Sequence, residues 1–495
     1  MVASNYSGMV HTVLLATEGT YPFHGGGVST WCNVLLHRLE EFQYRVLSVI
    51  MHPYLPPRYD PPPNLKSIIK VPLWGTEDPA EQQFDRTFAT ILNRRRQTTE
   101  PMIRRHFLPI FEALLDDITG NATGAVTGKR FADMAAYFRQ FDYFETFRSR
   151  VIWYSFQDFL RAWVRSATPA LPSPTVRDAA ECLQLLTRLL LVLDVEVPRT
   201  SLTHSAAAAV CGLPCVVAKL RHGTPYLLTE HGVYLREQYL NVARTARSTI
   251  VKRFLLGFFG AVVRANYHYA DVVSPVCQYN ARWELAQGVA PDRLQVIYNG
   301  SNETRFCPLD LPRRHRPTVT QVGLIFALKG TKDLIQAAAQ VRAAVPEVEF
   351  LLYGSASDPA YFAECQTLTT QLGLEQTVTF AGLTSHPEQV FNQADVVTLS
   401  SISEGFPYTI VEAMLCGSAI VATNVGGVGE ALADTGLLVP PRTPDQLAQA
   451  IVKLLTNAHL RRDLGQRARE RALTHFTESQ FATHYRDLYQ QLIGG

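Results

Sequence analysis

From Thr318 to Val439, short apolar runs alternate with helix-period segments. That alternation constrains the fold more than any other feature of the chain. The runs Thr318–Ile325, Val348–Tyr353, Val378–Ala381, Val396–Ser400, Ala419–Thr423 and Leu437–Val439 read as strands. Helices fall between them, notably over Lys332–Ala344, Ala360–Leu372 and Gln389–Gln393. Regular β–α alternation predicts a parallel sheet covered by helices, with ligands bound where strand C-termini meet helix N-termini. The tail from Pro444 to Ile493 reads as helix almost throughout.

The opening of the chain repeats the pattern. His11–Thr17 reads as a buried strand that feeds Glu18-Gly19-Thr20-Tyr21-Pro22 and then His24-Gly25-Gly26-Gly27. Val28, Trp31, Leu35 and Leu39 follow at helical spacing, and Tyr44–Met51 closes a βαβ unit. After a proline-rich crossing, Leu65–Val71 reads as a further strand. The rhythm then breaks from about residue 79 to 193, where helix-period segments run over Phe84–Asn93, Pro101–Ile118, Phe131–Ser166 and Val176–Leu193. The dense aromatics there (Phe138, Tyr143, Phe147, Trp153, Phe156 among them) fit a helical core better than a ligand box, so the segment reads as an inserted lobe beside the sheet. The α/β rhythm resumes with a small-residue helix over Ser205–Cys215. A short strand, Pro225–Thr229, then ends in Glu230-His231-Gly232. Lys252–Ala270 reads as a helix packed on the sheet. Strands follow at Asp271–Pro275 and Leu294–Tyr298, the second ending at Asn299-Gly300. Cys307–Pro317, with three prolines, three arginines and no periodicity, reads as a linker.

A chain of 495 residues exceeds one ordinary core. A formal charge of +2 gives no electrostatic case for nucleic-acid binding, and the clusters Arg94–Arg96 and Arg104–Arg105 read as solvated helix faces. None of the eight cysteines forms a CxxC pair, which suits a reducing compartment. Residues 1–10 lack the basic and apolar regions of a signal peptide, and the apolar run Phe254–Val263 is too short to span a bilayer. The expectation is a cytoplasmic protein.

Several chemistry-bearing groups fall at strand ends. In the first half they are the Gly25-Gly26-Gly27 loop, whose bare backbone N–H groups can approach an anion, and His231. In the second half they are Lys329, Glu404, Glu412 and the Gly426-Gly427 turn. Glu404 precedes and Glu412 follows a strand-to-helix junction. Taken alone, the two acids also fit a surface loop and a helix start favoured by the macrodipole. Together the groups suit transfer from a nucleotide diphosphate sugar. Backbone N–H groups and a lysine neutralise the departing diphosphate, one carboxylate accepts ribose hydroxyls, and another faces the sugar. No metal-binding spacing is evident, so no metal and no cofactor are expected.

The run Glu404-Gly405-Phe406-Pro407 to Glu412-Ala413-Met414, with Cys416-Gly417 and Ala419–Thr423 after it, resembles the EX7E signature of family 4 retaining glycosyltransferases. Asn299-Gly300, Gly354-Ser355, Gly426-Gly427 and Gly436–Pro440 match the same family. Glu18–Pro22, Gly26–Ser29 and Thr229–Gly232 resemble the PelF-like exopolysaccharide glycosyltransferases, which also carry a large helical insertion. The resemblance implies a GT-B fold, α/β, with two Rossmann-like doubly wound domains facing across a cleft. Residues 1–306 would be the acceptor-side domain, with the insertion at about 79–193 and the linker at 307–317. Residues 318–476 would bind the nucleotide sugar, and 477–495 would cross back as the final helix. Glu404 would contact the donor sugar, Glu412 the ribose and Lys329 the diphosphate. The backbone of Phe406, Pro407, Tyr408 and Thr409 would hold sugar and phosphate oxygens. Gly25, Gly26 and Gly27 would close over the phosphates, Gly354 would line the donor site, and His231 would lie by the sugar. The implied reaction is metal-independent hexosyl transfer with retention, from UDP-glucose to a saccharide acceptor. A membrane polysaccharide-export complex is the implied partner, holding the protein at the inner face of the membrane. The family usually has an arginine five residues before the lysine, and Leu324 stands there instead. Lys332 and Arg221 are the candidate substitutes. The alternative function is a weakened or non-catalytic member that binds nucleotide sugar or scaffolds an assembly complex.

Overall fold

The computed structural model describes residues 10–75, 86–120, 122–312, 314–356 and 358–494. The signal-peptide expectation, the start of the insertion near residue 79 and the helix start at Phe84 therefore lie wholly or largely outside the described residues. The chain divides into two compact units. The first runs to Pro275 and takes in Trp283–Gln295 and the end of the chain from Arg486; the second is Val276–Arg282 with Val296–Tyr485.

In the first unit the strands are β1 (Thr12–Glu18), β2 (Gln43–Ile50), β3 (Leu65–Pro72), β4 (Leu202–Ser205), β5 (Tyr226–Glu230) and β6 (Val272–Pro275). They form one parallel sheet in the order β3-β2-β1-β4-β5-β6. The second unit holds β7 (Thr318–Val322), β8 (Glu349–Tyr353), β9 (Val378–Gly382), β10 (Val396–Leu399), β11 (Ile420–Thr423) and β12 (Leu437–Val439). Its order is β12-β11-β10-β7-β8-β9, again parallel. Both are the doubly wound order, with the direction of winding reversing between β1 and β4 and between β7 and β10. At such a reversal the loops splay apart and leave room for a ligand.

Local predictions fail in three places. Ser205–Cys215 is not a helix: β4 ends at Ser205, a 3₁₀ turn follows at Val210–Gly212, and the helix is Leu213–His222. Pro214 starts that helix, where its missing N–H costs nothing, and Gly223 at φ 69 stops it. β4 itself is four residues long and is held by pairing with β1 and β5, so periodicity could not reveal it. Leu294–Tyr298 is not a strand, and only a Val273–Leu294 bridge remains. The chain passes to the second unit at Val296, ahead of the expected linker. Ile297, Asn299 and Phe306 are buried there, and the Tyr298 ring lies 5.1 Å from Phe406 and 5.4 Å from Phe476.

The insertion is not a separate lobe. Phe107, Phe111, Phe131, Phe138, Tyr143 and Phe156 form one continuous core with Leu14, Leu47 and Val49 of the sheet. The expected helix over Phe131–Ser166 breaks where Asp142 caps Glu145 N–H and Ser149 caps Ile152 N–H. The expectation of solvated arginines fails at Arg94. That residue is 7% exposed and bonds Asp194 at 2.8 Å, beside Arg86 at 2.9 Å. No helix among the described residues is long and apolar enough to cross a membrane.

Candidate functional site

In the second unit the loops after β7 and β10 are bonded to each other. Ser400 Oγ donates to Lys329 O and to Gln321 Oε1, both at 2.9 Å, and Ile402 N–H donates to Leu328 O at 2.7 Å. This brings Lys329 and Glu404 together: Nζ donates to Oε1 at 2.6 Å, with the side chains 22% and 10% exposed. Ser401 Oγ donates to the same oxygen at 2.5 Å. Glu404 Oε2 has no partner among the described residues, so the carboxylate is oriented through one oxygen while the other stays available. Behind the loop, Gly427 N–H donates to Gly405 O at 2.7 Å. Gly426, at φ 56, leaves no room for a side chain, because a Cβ there would stand 1.9 Å from Glu404 O.

Phe406 and Pro407 lead into the helix Tyr408–Leu415, which has no side-chain cap and no acid in its first turn. The helix start carries the positive end of the helix dipole, and Ile410 N–H donates to Pro407 O at 3.2 Å. Phe406 O already accepts from Asn299 Nδ2 at 3.0 Å, and Thr409 Oγ1 donates to Val322 O at 3.3 Å. Glu412, in the second turn, is half-buried. Burial pushes its carboxyl up to about 7, against a lowering by Arg305 and alongside a raising by Glu388. No hydrogen bond joins Glu412 to Glu404 or Lys329 among the described residues. Gly354 works by close approach: a Cβ there would stand 1.8 Å from Gly323 O, and Ile325 N–H donates to Ser355 O at 2.9 Å.

Leu324 is 43% exposed. Lys332 is engaged by Glu364 and lies 5.2 Å over the Tyr361 ring. Arg221 lies at the end of the helix that precedes β5, the opposite end of that strand from His231, and faces Arg139 and His222.

In the first unit, Gly25, Gly26 and Gly27 lead from β1 into the helix Gly27–Arg38, which also lacks a side-chain cap and a first-turn acid. The guanidinium of Arg58 lies against this loop, 2.9 Å from where a Gly25 Cβ would stand, and Arg58 N–H donates to Pro22 O at 2.8 Å. His231 follows β5, with its ring edge-to-face on Trp31 at 4.8 Å and a buried Nε2 that has no hydrogen-bond partner among the described residues. Burial pushes its pKa down to about 3, so the imidazole is neutral. His204 of β4 meets the same indole at 5.2 Å; its Nδ1 pairs with Tyr489 Oη at 2.8 Å and its Nε2 with Thr229 Oγ1 at 2.9 Å. Glu18 closes β1, accepting from Tyr234 Oη at 3.2 Å and from Cys211 N–H at 3.4 Å, and burial pushes it up to about 7.

Sequence reasoning missed Ser401, Arg58, Trp31 and His204 as parts of these constellations. Ser401 lies between the strand Val396–Ser400 and the motif that begins at Glu404, and its hydroxyl carries no periodic signal. Arg58 sits among prolines with no periodic signal, and His204 sits on the strand that was read as the edge of a helix. Among the described residues, no group of three or more His, Cys, Asp or Glu is placed to hold a metal ion.

A family model described as "Domain of unknown function (DUF3492)" matches residues 11–292, and one described as "Glycosyl transferases group 1" matches residues 311–471. The chain is 28% identical over 356 residues to the alpha-maltose-1-phosphate synthase of Mycolicibacterium smegmatis, covering 65% of this chain and 87% of that protein. It is 32% identical over 213 residues to the D-inositol 3-phosphate glycosyltransferase of Arthrobacter sp., covering 40% of this chain and 48% of that protein, about half its length. Among solved structures, sucrose-phosphate synthase from Thermosynechococcus elongatus superposes with a TM-score of 0.62 at 20% identity, over 98% of this chain and 100% of that one. Anabaena HepE in complex with UDP gives 0.60 at 15% identity, over 97% and 100%. At these identities the two structures show a shared GT-B fold.

Proposed function

The chain belongs to the DUF3492 family, whose model matches residues 11–292, and from that premise we propose that it is a group 1 glycosyl transferase, matched over residues 311–471, that transfers a hexose, glucose, from UDP-glucose to a growing exopolysaccharide, with retention and without a metal. The observation that carries the reading is the Lys329–Glu404 pair at the β7–β10 reversal, beside the uncapped start of the helix Tyr408–Leu415. The Lys329 ammonium and the helix N–H groups would take up the charge that develops on the departing diphosphate. Glu404, oriented by Lys329 and Ser401, offers Oε2 to a sugar hydroxyl or to an oxocarbenium-like centre. Glu412 in its ionised form accepts ribose hydroxyls. His231, kept neutral by burial, offers Nε2 as a hydrogen-bond partner and not as a charge. Glucose and UDP follow from the PelF-like motifs Glu18–Pro22 and Thr229–Gly232, and the UDP-bound HepE of the same fold is consistent with that donor. A polysaccharide-export complex at the inner face of the membrane is the partner this reading implies.

A screen of the purified protein against nucleotide sugars, read by release of nucleoside diphosphate, tests the proposal. Turnover is expected with UDP-glucose and lost in Glu404→Ala; absence of turnover with every donor would overturn it. The second reading, a weakened enzyme that retains donor binding, is favoured by Leu324: its site lacks a cation, and Lys332 is engaged elsewhere. Calorimetric binding of UDP-glucose without turnover would select it.

A further inference from the structure

Two acids of the first unit are buried together without the donors that two negative charges would need. Glu230 closes β5, and Glu284 lies on the helix Gln278–Ala286; both are 0% exposed. Glu230 is well supplied: the Tyr267 hydroxyl donates to Oε2, and Tyr234 N–H donates to Oε1 at 3.1 Å. Neither oxygen of Glu284 has a donor among the described residues, and its neighbour is the Glu230 carboxyl. A buried carboxylate with no donor, beside a second carboxylate, is strongly disfavoured; the pair is satisfied when Glu284 keeps its proton and donates it to Glu230. The other titratable groups around the pair are also acidic or phenolic. Tyr234 and Glu237 come from the helix Tyr234–Arg244, Tyr267 from the helix Thr249–Tyr269 and Tyr226 from β5. Arg236 acts on Glu237. Burial and then the Glu230 carboxyl push Glu284 up, and burial pushes Glu230 up as well.

We propose that Glu230 and Glu284 share one proton and that this pair positions His231. The bonds on Glu230 fix the turn at both ends, its start through the Glu230 side chain and its end through Tyr234 N–H. His231 and Gly232 lie between. Gly232 is held close, with Glu237 Oε1 2.0 Å from where a Cβ would stand. The result is an imidazole seated on the Trp31 edge with Nε2 free of partners among the described residues. This inference rests on the reading above, in which His231 meets the transferred sugar.

The test compares native protein with Glu284→Ala and Glu284→Gln, using UDP-glucose as the donor probe. Glu284→Ala removes the shared proton from Glu230 and leaves only the Tyr267 and Tyr234 donors to hold the turn, and a displacement of about 1 Å costs about 10²-fold. Glu284→Ala is therefore expected to lower kcat about 10²-fold with KM for UDP-glucose little changed, and Glu284→Gln, whose amide also donates, to restore it. The second readout is melting temperature against pH. A carboxyl raised in the folded state contributes stability that is present below its unfolded value near 4.3 and is lost as pH rises through its raised folded value. The native melting temperature should therefore fall relative to that of Glu284→Gln across this window. A Glu284→Ala enzyme with native kcat, or a melting difference that does not change with pH, would overturn the proposal. Absence of turnover in the native protein would instead sink the transferase reading, and the melting series would still judge the shared proton.

Discussion

The β7–β10 end of the second unit and the β1–β4–β5 end of the first are built on one strand order, yet they handle charge in opposite ways. The former carries a formed ion pair, Lys329–Glu404 at 2.6 Å, with both side chains still partly open to water. The latter carries histidines pushed down to about 3 and acids pushed up, all by burial. A group sealed behind Trp31 or Tyr267 loses its hydration and becomes neutral. At its reversal of winding the second unit presents an ion pair, whereas the first presents buried groups made neutral, with the Arg58 guanidinium against the Gly25 loop.

The comparison breaks first at its charged end. Glu404→Ala is expected to lower kcat/KM for UDP-glucose about 10³-fold, measured by UDP release, because it removes the sugar contact and leaves Lys329 unpaired. Lys329→Ala should cost about 10²-fold, mainly in kcat, since its charge matters most as the diphosphate leaves. Gly426→Ala forces a side chain toward Glu404 O at φ 56, and the strain of about 1–3 kcal/mol should appear as a lower melting temperature together with reduced turnover. Leu324→Arg adds the missing cation at an exposed position. It should raise turnover about tenfold or more while changing stability by no more than about 0.5 kcal/mol.

The smallest effect sharpens the contrast within the second unit itself. Glu412 is pushed up to about 7 by burial, so it is neutral below that pH and ionised above it, the form in which the proposed donor site would use it to accept ribose hydroxyls. The KM for donor is expected to fall as pH rises through about 7, and Glu412→Gln should flatten the profile. The stability sign is opposite. A raised carboxyl contributes stability below its unfolded value, near 4.3, and loses that contribution as pH rises toward about 7.

Much of the second unit is legible in its amino-acid pattern alone. Its six strands and the helices between them recur with boundaries within a few residues, because each element there is long enough or apolar enough to show its own period. Lys329 and Glu404 can be nominated because both follow strands, but nothing in the spacing says that they bond each other. The first unit is harder to read. β4 is four residues of mixed polarity, and its strand state comes from two neighbours across the sheet. Without β4, the pairing of His204 with Thr229, and its approach to Trp31, cannot be inferred. The insertion's helices are visible in the pattern, but their merging with the sheet core depends on contacts between residues far apart in sequence.

By itself the sequence determined two parallel α/β sheets, the strand ends where ligands meet them, and the residue types gathered there, because periodicity and chain order are local properties. Tertiary structure alone decided which of those residues are charged. Lys329 and Glu404 are as ionisable as Glu230 and Glu284. One pair is partly open to water and opposite in sign; the other is sealed from water and alike in sign, so it must hold a proton. Hydration and the sign of the nearest neighbour are set by how distant segments pack, and no spacing in the chain records them.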